Sequence, residues 1–228
     1  MRGPSFLDRL APDDRAALER TANRRQYRRG AVIFLDGQDA SEVMIVESGE
    51  LKITLASQDG REIMVDIRGP GEIIGEMSLI DDSPRSASAF ALTSPTNVLV
   101  LTVRDFNELL DTHPGFARTL LDEMVQKVRD ATFQQLELSL DDVLGRVCRR
   151  LINMSDRFGS LDADGAIRFK SPITQQDLAD WAGVSRQAVV KALTELRSEG
   201  QITTQGSTIR LLDHEYIRVR AAQLSGLV

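Results

Sequence analysis

Between Gly71 and Ala87 the chain reads GEIIGEMSLIDDSPRSA. Glu76 is followed nine residues later by Arg85, and at once by Ser86. The stretch is too irregular for one helix or one strand. An arginine presents a planar fork of donors that suits a phosphate anion. A carboxylate beside it can select a sugar hydroxyl. The competing reading is an internal ion pair, Glu76 with Arg85, under a loop. A second cluster, Ser185, Arg186, Gln187 and Lys191, sits in GVSRQAVVKAL. Ser185 can cap a helix there. That places Arg186, Gln187 and Lys191 at or near its N-terminal end, on the polar face. Arginine can bind guanine through two hydrogen bonds and glutamine can do so with adenine. Ser185 and the free N–H groups of a helix start suit a phosphate.

Other chemistries are thinly supported. The single cysteine, Cys148, excludes an internal disulfide, a four-cysteine zinc site and a cysteine-ligated iron–sulfur cluster within one chain. It sits in VLGRVCRRL, where a buried inert thiol is expected. His113 and His214 lack the spacing of a zinc protease or a deaminase. GPGEIIG superficially resembles a dinucleotide loop, but its third glycine comes one residue late and strands surround it. We therefore expect no catalytic residues, no metal site and no tightly bound cofactor.

The 228 residues allow one large domain or two smaller ones. Hydrophobic residues make up 42% and charged residues 27%, an ordinary globular composition. No apolar run approaches the ~18 residues of a membrane span, and the N-terminus turns charged before a signal core can form. The expected location is the cytoplasm, without membrane association. Net charge is −6, which taken alone argues weakly against nucleic acid. The sign of a local face matters more than the sum.

The elements that must position these residues fall into three parts. Residues 27–103 read as short strands. Leu51, Ile53 and Leu55 alternate with Lys52 and Thr54, and Ile63, Val65 and Ile67 alternate with Glu62, Met64, Asp66 and Arg68. Ser48-Gly49 marks a turn, and a small antiparallel sandwich or roll is expected. The four arginines of ANRRQYRRG read as a solvated strand edge, with DNA flanks or RNA polymerase as further possible contacts. From Arg104 the period changes. A short helix over 105–110 ends at His113-Pro114, and a long one follows over 116–138. In it Ala117, Leu121, Met124, Val128, Ala131, Gln135 and Leu138 are spaced as an a/d seam. Two-helix dimerisation is the expectation, against packing on the chain's own roll. A hinge is expected at 138–142, with Asp141 or Asp142 capping a helix to about Asn153.

The last part, 172–228, has the most specific pattern. Thr174 can cap a helix carrying Leu178, Ala179, Trp181 and Ala182; Gly183 breaks it. The helix capped by Ser185 buries Val189, Ala192, Leu193 and Leu196. Two short helices joined by a glycine turn describe a helix-turn-helix. QITTQGSTIRLL adds two strands around Gly206-Ser207 as a wing. The alternative is a helix pair with a solvated charged face. Arg186, Lys191, Arg197 and Arg210 are balanced by Asp177, Asp180, Glu195 and Glu199, so binding would rest on placed contacts.

Taken together, these motifs resemble the bacterial CRP/FNR transcription regulators across nearly the whole chain. RRGAVIFLDGQDASEVMIVESGELKI resembles the family's β-roll, GEIIGEMSLIDDSPRSA its phosphate-binding cassette, and DDVLGRVCRRL with ITQQDLADWAGVSRQAVVKAL its DNA-binding domain. The fold implied is α+β: an N-terminal antiparallel β-roll of the cyclic-nucleotide-binding type, a long dimerisation helix, and a C-terminal winged helix-turn-helix. The domains expected are 1–140 and 141–228. The resemblance implies that Glu76 accepts from a ribose 2′-hydroxyl, that Arg85 and Ser86 hold the cyclic phosphate, and that Gly75 lets the backbone approach the sugar.

Two departures stand out. The family's receptors for cyclic AMP set two consecutive hydroxyl residues of the long helix against adenine. Here the matching positions are Ala131 and Thr132, so one hydroxyl is missing. Gln187 replaces a glutamate after the arginine, so the half-site should keep a guanine for Arg186 and differ beside it. The expected partners are a palindromic duplex DNA operator and a second copy of the chain. The expected effector is cyclic AMP. The alternatives are a regulator active without ligand, one answering cyclic GMP or cyclic di-GMP, and a nucleotide module acting on a protein partner.

Overall fold

The computed structural model describes residues 4–57, 60–140 and 142–222, the side chains of 138–140 excepted. Two compact units divide at Arg129 and Asp130, inside the long helix rather than after it. Among the described residues no helix is long and apolar enough to cross a membrane.

The N-terminal unit opens with α1 (Phe6–Arg9) and α2 (Pro12–Thr21), two helices the strand pattern did not announce. Then come β1 (Asn23–Tyr27), β2 (Val32–Phe34), β3 (Glu42–Ser48), β4 (Leu51–Ala56), β5 (Glu62–Arg68), β6 (Ile73–Ile74), α3 (Met77–Ile80), β7 (Ser88–Ala91), β8 (Thr96–Thr102) and α4 (Val103–Thr112). The strands form two antiparallel four-stranded sheets, ordered β1-β8-β3-β6 and β2-β7-β4-β5. The arginines of β1 do lie on a solvated edge strand, where Arg24 pairs with Glu47 and Arg25 with Glu42.

The alternation expected in β5 fails at one residue. Ile53 pairs with Asp66 but Thr54 pairs with Met64, so Val65 is an extra residue in the ladder. Such a bulge moves the following side chains to the other face. Met64 is accordingly fully buried, as is Ile67 three residues on, while Ile63 and Val65 are only partly covered.

Helix α5 (Pro114–Leu140) runs out of this unit. Its Phe116 packs edge-on against Phe6 at 5.6 Å and Phe106 at 6.0 Å, within a core that also holds Leu18, Ile45, Leu99, Leu101 and Leu120. The register of the expected seam shifts. Met124 packs inward on this core, and Val125 joins Leu121 and Val128 on the exposed side. Ala131 and Gln135 are exposed, and the side chain of Leu138 lies outside the described residues.

The second unit holds α6 (Val143–Phe158), β9 (Ser160–Leu161), β10 (Ile167–Lys170), α7 (Gln175–Ala182), α8 (Arg186–Ser198), β11 (Ile202–Gln205), β12 (Thr208–Leu211) and α9 (His214–Ala221). Its antiparallel sheet is ordered β11-β12-β10-β9. Asp142 caps α6 by accepting from Gly145 N at 2.7 Å, and Asp141 lies outside the described residues. The helix runs past the expected Asn153 because Met154 and Ser155 continue its buried face. Cys148 lies on that face, and burial pushes its thiol up to about 12.

The end of α5 is fastened to this unit by a buried carboxylate. Glu137 accepts from Arg149 Nη1 at 2.7 Å and from Arg150 Nη2 at 2.8 Å. Arg150 also donates Nε–H to Trp181 O at 3.0 Å and lies over the Trp181 ring at 5.2 Å. Arg149 lies over Phe133 at 5.0 Å and donates to Ala221 O. One side chain thus ties α5 to α6 and, through the arginines, to α7 and α9. Removing one member of a buried ion pair leaves uncompensated charge and typically costs 3–5 kcal/mol. Glu137→Ala is expected to destabilise the full chain by about that amount in urea denaturation; an unchanged midpoint would contradict the assignment.

Candidate functional site

Gly75 follows β6 with φ +77°, in the left-handed region that glycine tolerates. A Cβ there would stand 2.3 Å from Nη1 of Arg85. The glycine therefore makes room for the arginine as well as for any ligand. Arg85 donates Nη1–H to Gly75 O at 2.7 Å and Nη2–H to Glu42 O, and its guanidinium lies over the Phe34 ring at 4.4 Å. The turn after β2 fixes its backbone, since Arg85 N donates to Gln38 O and Gly37 N to Arg85 O, both at 2.8 Å.

Arg85 is only 5% exposed. Among the described residues no carboxylate stands within ion-pair distance of it. Burial pushes the guanidinium below its ordinary value, opposed by the charges of Glu42 and Glu76. Two of its five N–H donors are engaged. Here is a buried positive charge, held by neutral carbonyls, with donors to spare.

Glu76 does not pair with Arg85, so the internal ion pair considered from sequence is absent. It is 2% exposed and accepts from Lys127 Nζ at 2.7 Å. Lys127 also donates to Ile73 O at 3.2 Å. Ser86 is exposed, and its hydroxyl makes no hydrogen bond among the described residues. The structure thus brings Gly75, Glu76 and Arg85 together, with Ser86 next in the chain. Thr132 belongs to the other unit, where it is exposed on α5 at helical spacing from Val128 and Leu136. Lys127, Glu42 and Phe34 were missed by sequence reasoning. Lys127 had a signal: it continues the inward stripe of Phe116, Leu120 and Glu123, where a charged side chain needs a partner.

The second cluster is built as a helix pair. Thr174 Oγ1 accepts from Asp177 N while Asp177 Oδ2 accepts from Thr174 N, a capping box that starts α7. Gly183 ends it with φ +63° and ψ +39°. Ser185 Oγ accepts from Ala188 N at 3.1 Å and starts α8. Leu178, Ala179, Trp181 and Ala182 of α7 are buried, as are Val189, Ala192, Leu193 and Leu196 of α8. Ser185, Arg186, Gln187 and Lys191 are exposed together, and the last three make no side-chain hydrogen bond or ion pair among the described residues. Arg197, by contrast, is tied to Thr204 at 3.0 Å, bracing α8 on the wing formed by β11 and β12.

Residues 24–113 match the family described as Cyclic nucleotide-binding domain, and residues 145–219 the Crp-like helix-turn-helix domain. The chain is 32% identical over 214 residues to the CRP-like cAMP-activated global transcriptional regulator of Mycobacterium tuberculosis, covering 93% of this chain and 94% of that one. The chain belongs to the CRP/FNR family of transcription regulators. The Cyclic AMP receptor protein of Thermus thermophilus is 30% identical over 212 residues, 92% of this chain and 94% of that one. The c-di-GMP responsive global regulator CLP of Xanthomonas campestris shares the fold, with a TM-score of 0.76 at 22% identity over 88% of this chain and 99% of that one. As a CRP/FNR regulator, this protein binds DNA through its helix-turn-helix domain and carries a cyclic nucleotide-binding domain.

The pairing of Glu76 with Lys127 makes a stability prediction. Lys127→Met should destabilise the full chain by about 3 kcal/mol or more, because a buried carboxylate is left unpaired. Adding Glu76→Gln to that variant should recover most of the loss. Urea midpoints of the two single variants and the double variant check this; additive losses would contradict it.

Proposed function

We propose that this protein is a homodimeric regulator whose operator binding is controlled by cyclic AMP. The observation that carries the effector assignment is the buried Arg85 guanidinium without an anionic partner. An unpaired buried charge is costly, and a cyclic phosphate would supply both the anion and acceptors for the unused donors. Glu76 is the acceptor for a ribose hydroxyl, with one oxygen not engaged by Lys127. Ser86 contributes its free hydroxyl to the phosphate, and Gly75 the open approach. Thr132 is the single hydroxyl for the base. The relatives named for cyclic AMP, matched over nearly the whole chain, support adenine over other bases. Ser185, Arg186, Gln187 and Lys191 read and hold a half-site of duplex DNA.

Dimerisation is assigned to α5. Leu121, Val125, Val128 and Leu136 are exposed along one side of a helix whose other side packs on its own core. Thr132 lies among them, so effector contact and dimer contact share one face. A second copy of α5 would cover this stripe and set two recognition helices toward half-sites about 34–36 Å apart.

The test is anisotropy of a palindromic duplex at fixed salt, with and without cyclic AMP, alongside calorimetry of the nucleotide. Cyclic AMP should tighten operator binding within the usual coupling range of about 5–150-fold. Arg85→Ala should remove both the heat and the response. Arg186→Ala should lose about 1–3 kcal/mol of operator binding per half-site and keep nucleotide affinity. Equal operator affinity in both arms, with no nucleotide heat, would overturn cyclic AMP control. A separate arm concerns assembly. Val128→Glu places like charges across the seam and should sediment as a monomer with weakened operator binding; a stable dimer would overturn the assignment of α5.

A further inference from the structure

The recognition face of α8 carries one apolar side chain. Val190 is 42% exposed, one turn beyond Arg186 and Gln187 and directly before Lys191. Residues three and four apart on a helix are neighbours, so Val190 shares an outward strip with Arg186 and Gln187, and Gln187 in turn neighbours Lys191. Farther along, Thr194 donates its hydroxyl to Val190 O at 2.8 Å, and accepts from Arg197, whose other amino group reaches Thr204. The groups beyond Val190 are therefore engaged within the unit, while those before and beside it are not. Val190 stands in the middle of the face that reads bases.

Neither packing nor helix propensity accounts for a valine at this place. Its neighbour Val189 supplies the buried contact, and a β-branched residue slightly disfavours a helix. The major groove offers an exposed isopropyl group one matching feature, the 5-methyl group of thymine. We propose that Val190 is a specificity-determining residue that contacts a thymine methyl beside the base pair read by Arg186 or Gln187. The inference rests on the assignment of this helix as the DNA reader and adds to it an apolar contact that hydrogen bonding cannot supply.

Deoxyuridine replaces thymine with loss of the methyl group alone, which makes a clean test. The full-length protein, with cyclic AMP present, first selects its operator from a randomised palindromic pool. Each thymine of the selected half-site is then replaced symmetrically by deoxyuridine, and affinities are compared for the natural protein and for Val190→Ala. One thymine position should weaken the natural protein roughly fourfold per half-site, the worth of one buried methyl, hence roughly fifteenfold for the symmetric pair. Val190→Ala should bind thymine and uracil operators equally at that position while keeping its response to guanine substitution. A natural protein indifferent to uracil at every position overturns the proposal. So does a Val190→Ala variant with the same thymine-to-uracil ratio as the natural protein. Failure to select any sequence would instead overturn the DNA-reading assignment on which the proposal rests.

Discussion

A buried positive charge governs the architecture of the N-terminal unit. Arg85 can sit inside because Gly75 has no Cβ to exclude it, because two main-chain carbonyls accept from it, and because Phe34 offers its ring face. None of these partners is an anion. A guanidinium so placed is more weakly hydrated than an ammonium, which lowers the cost of holding it there. The irregular cassette between β6 and β7 follows from this constraint. Its short α3 and its turns carry the chain from Gly75 away from the sheet and back, so that Arg85 re-enters beside the glycine it needs.

Helix α5 serves both units because its faces differ. One stripe, with Phe116, Leu120, Glu123 and Lys127, meets its own unit through aromatic contacts and two ion pairs, Glu123 with Arg9 and Lys127 with Glu76. Another, with Leu121, Val125 and Val128, is left apolar and exposed. Near its far end Glu137 turns the same device on the second unit, where Arg149 and Arg150 receive it. Apolar packing of Phe116 and Leu120 thus fixes the start of the helix, and charged groups fasten it near its middle and its far end. Ion pairs impose directional geometry that dispersion contacts do not.

Much of this was legible in the sequence. The helix-turn-helix could be read down to its caps because Thr174, Gly183 and Ser185 act locally, within a few residues of what they control. The change of period at Arg104 is likewise local, whereas the alternation read in β4 fails, since Thr54 is buried and Leu55 exposed. What escaped was non-local. The bulge at Val65 depends on how two strands pair, so the sequence suggested a polar Met64 face that the structure buries. Met124 and Val125 exchange roles because only the position of the core decides which side of α5 faces inward. The partners of Glu76 and Glu137 lie in other elements, and a glutamate in a chain with 27% charged residues announces nothing by itself.

The arrangement also bounds how an effector could act. A ligand shifts an equilibrium only by the difference in its affinity for two states. At this site such a difference would arise at Glu76, which accepts from Lys127 of α5. A ribose hydroxyl that takes the free oxygen of Glu76 leaves that bond in place and stabilises α5 where it lies. One that needs both oxygens must compete with Lys127 and so loosens the helix from its own unit. The two cases would act oppositely on how α5 is held at Lys127 within the N-terminal unit. Which of them would operate depends on the reach of Glu76, which accepts from α5, not on Arg85, whose partners Gly75, Glu42 and Phe34 lie off that helix. Under the proposed control by nucleotide, the carboxylate would set the coupling to α5 and the arginine the affinity.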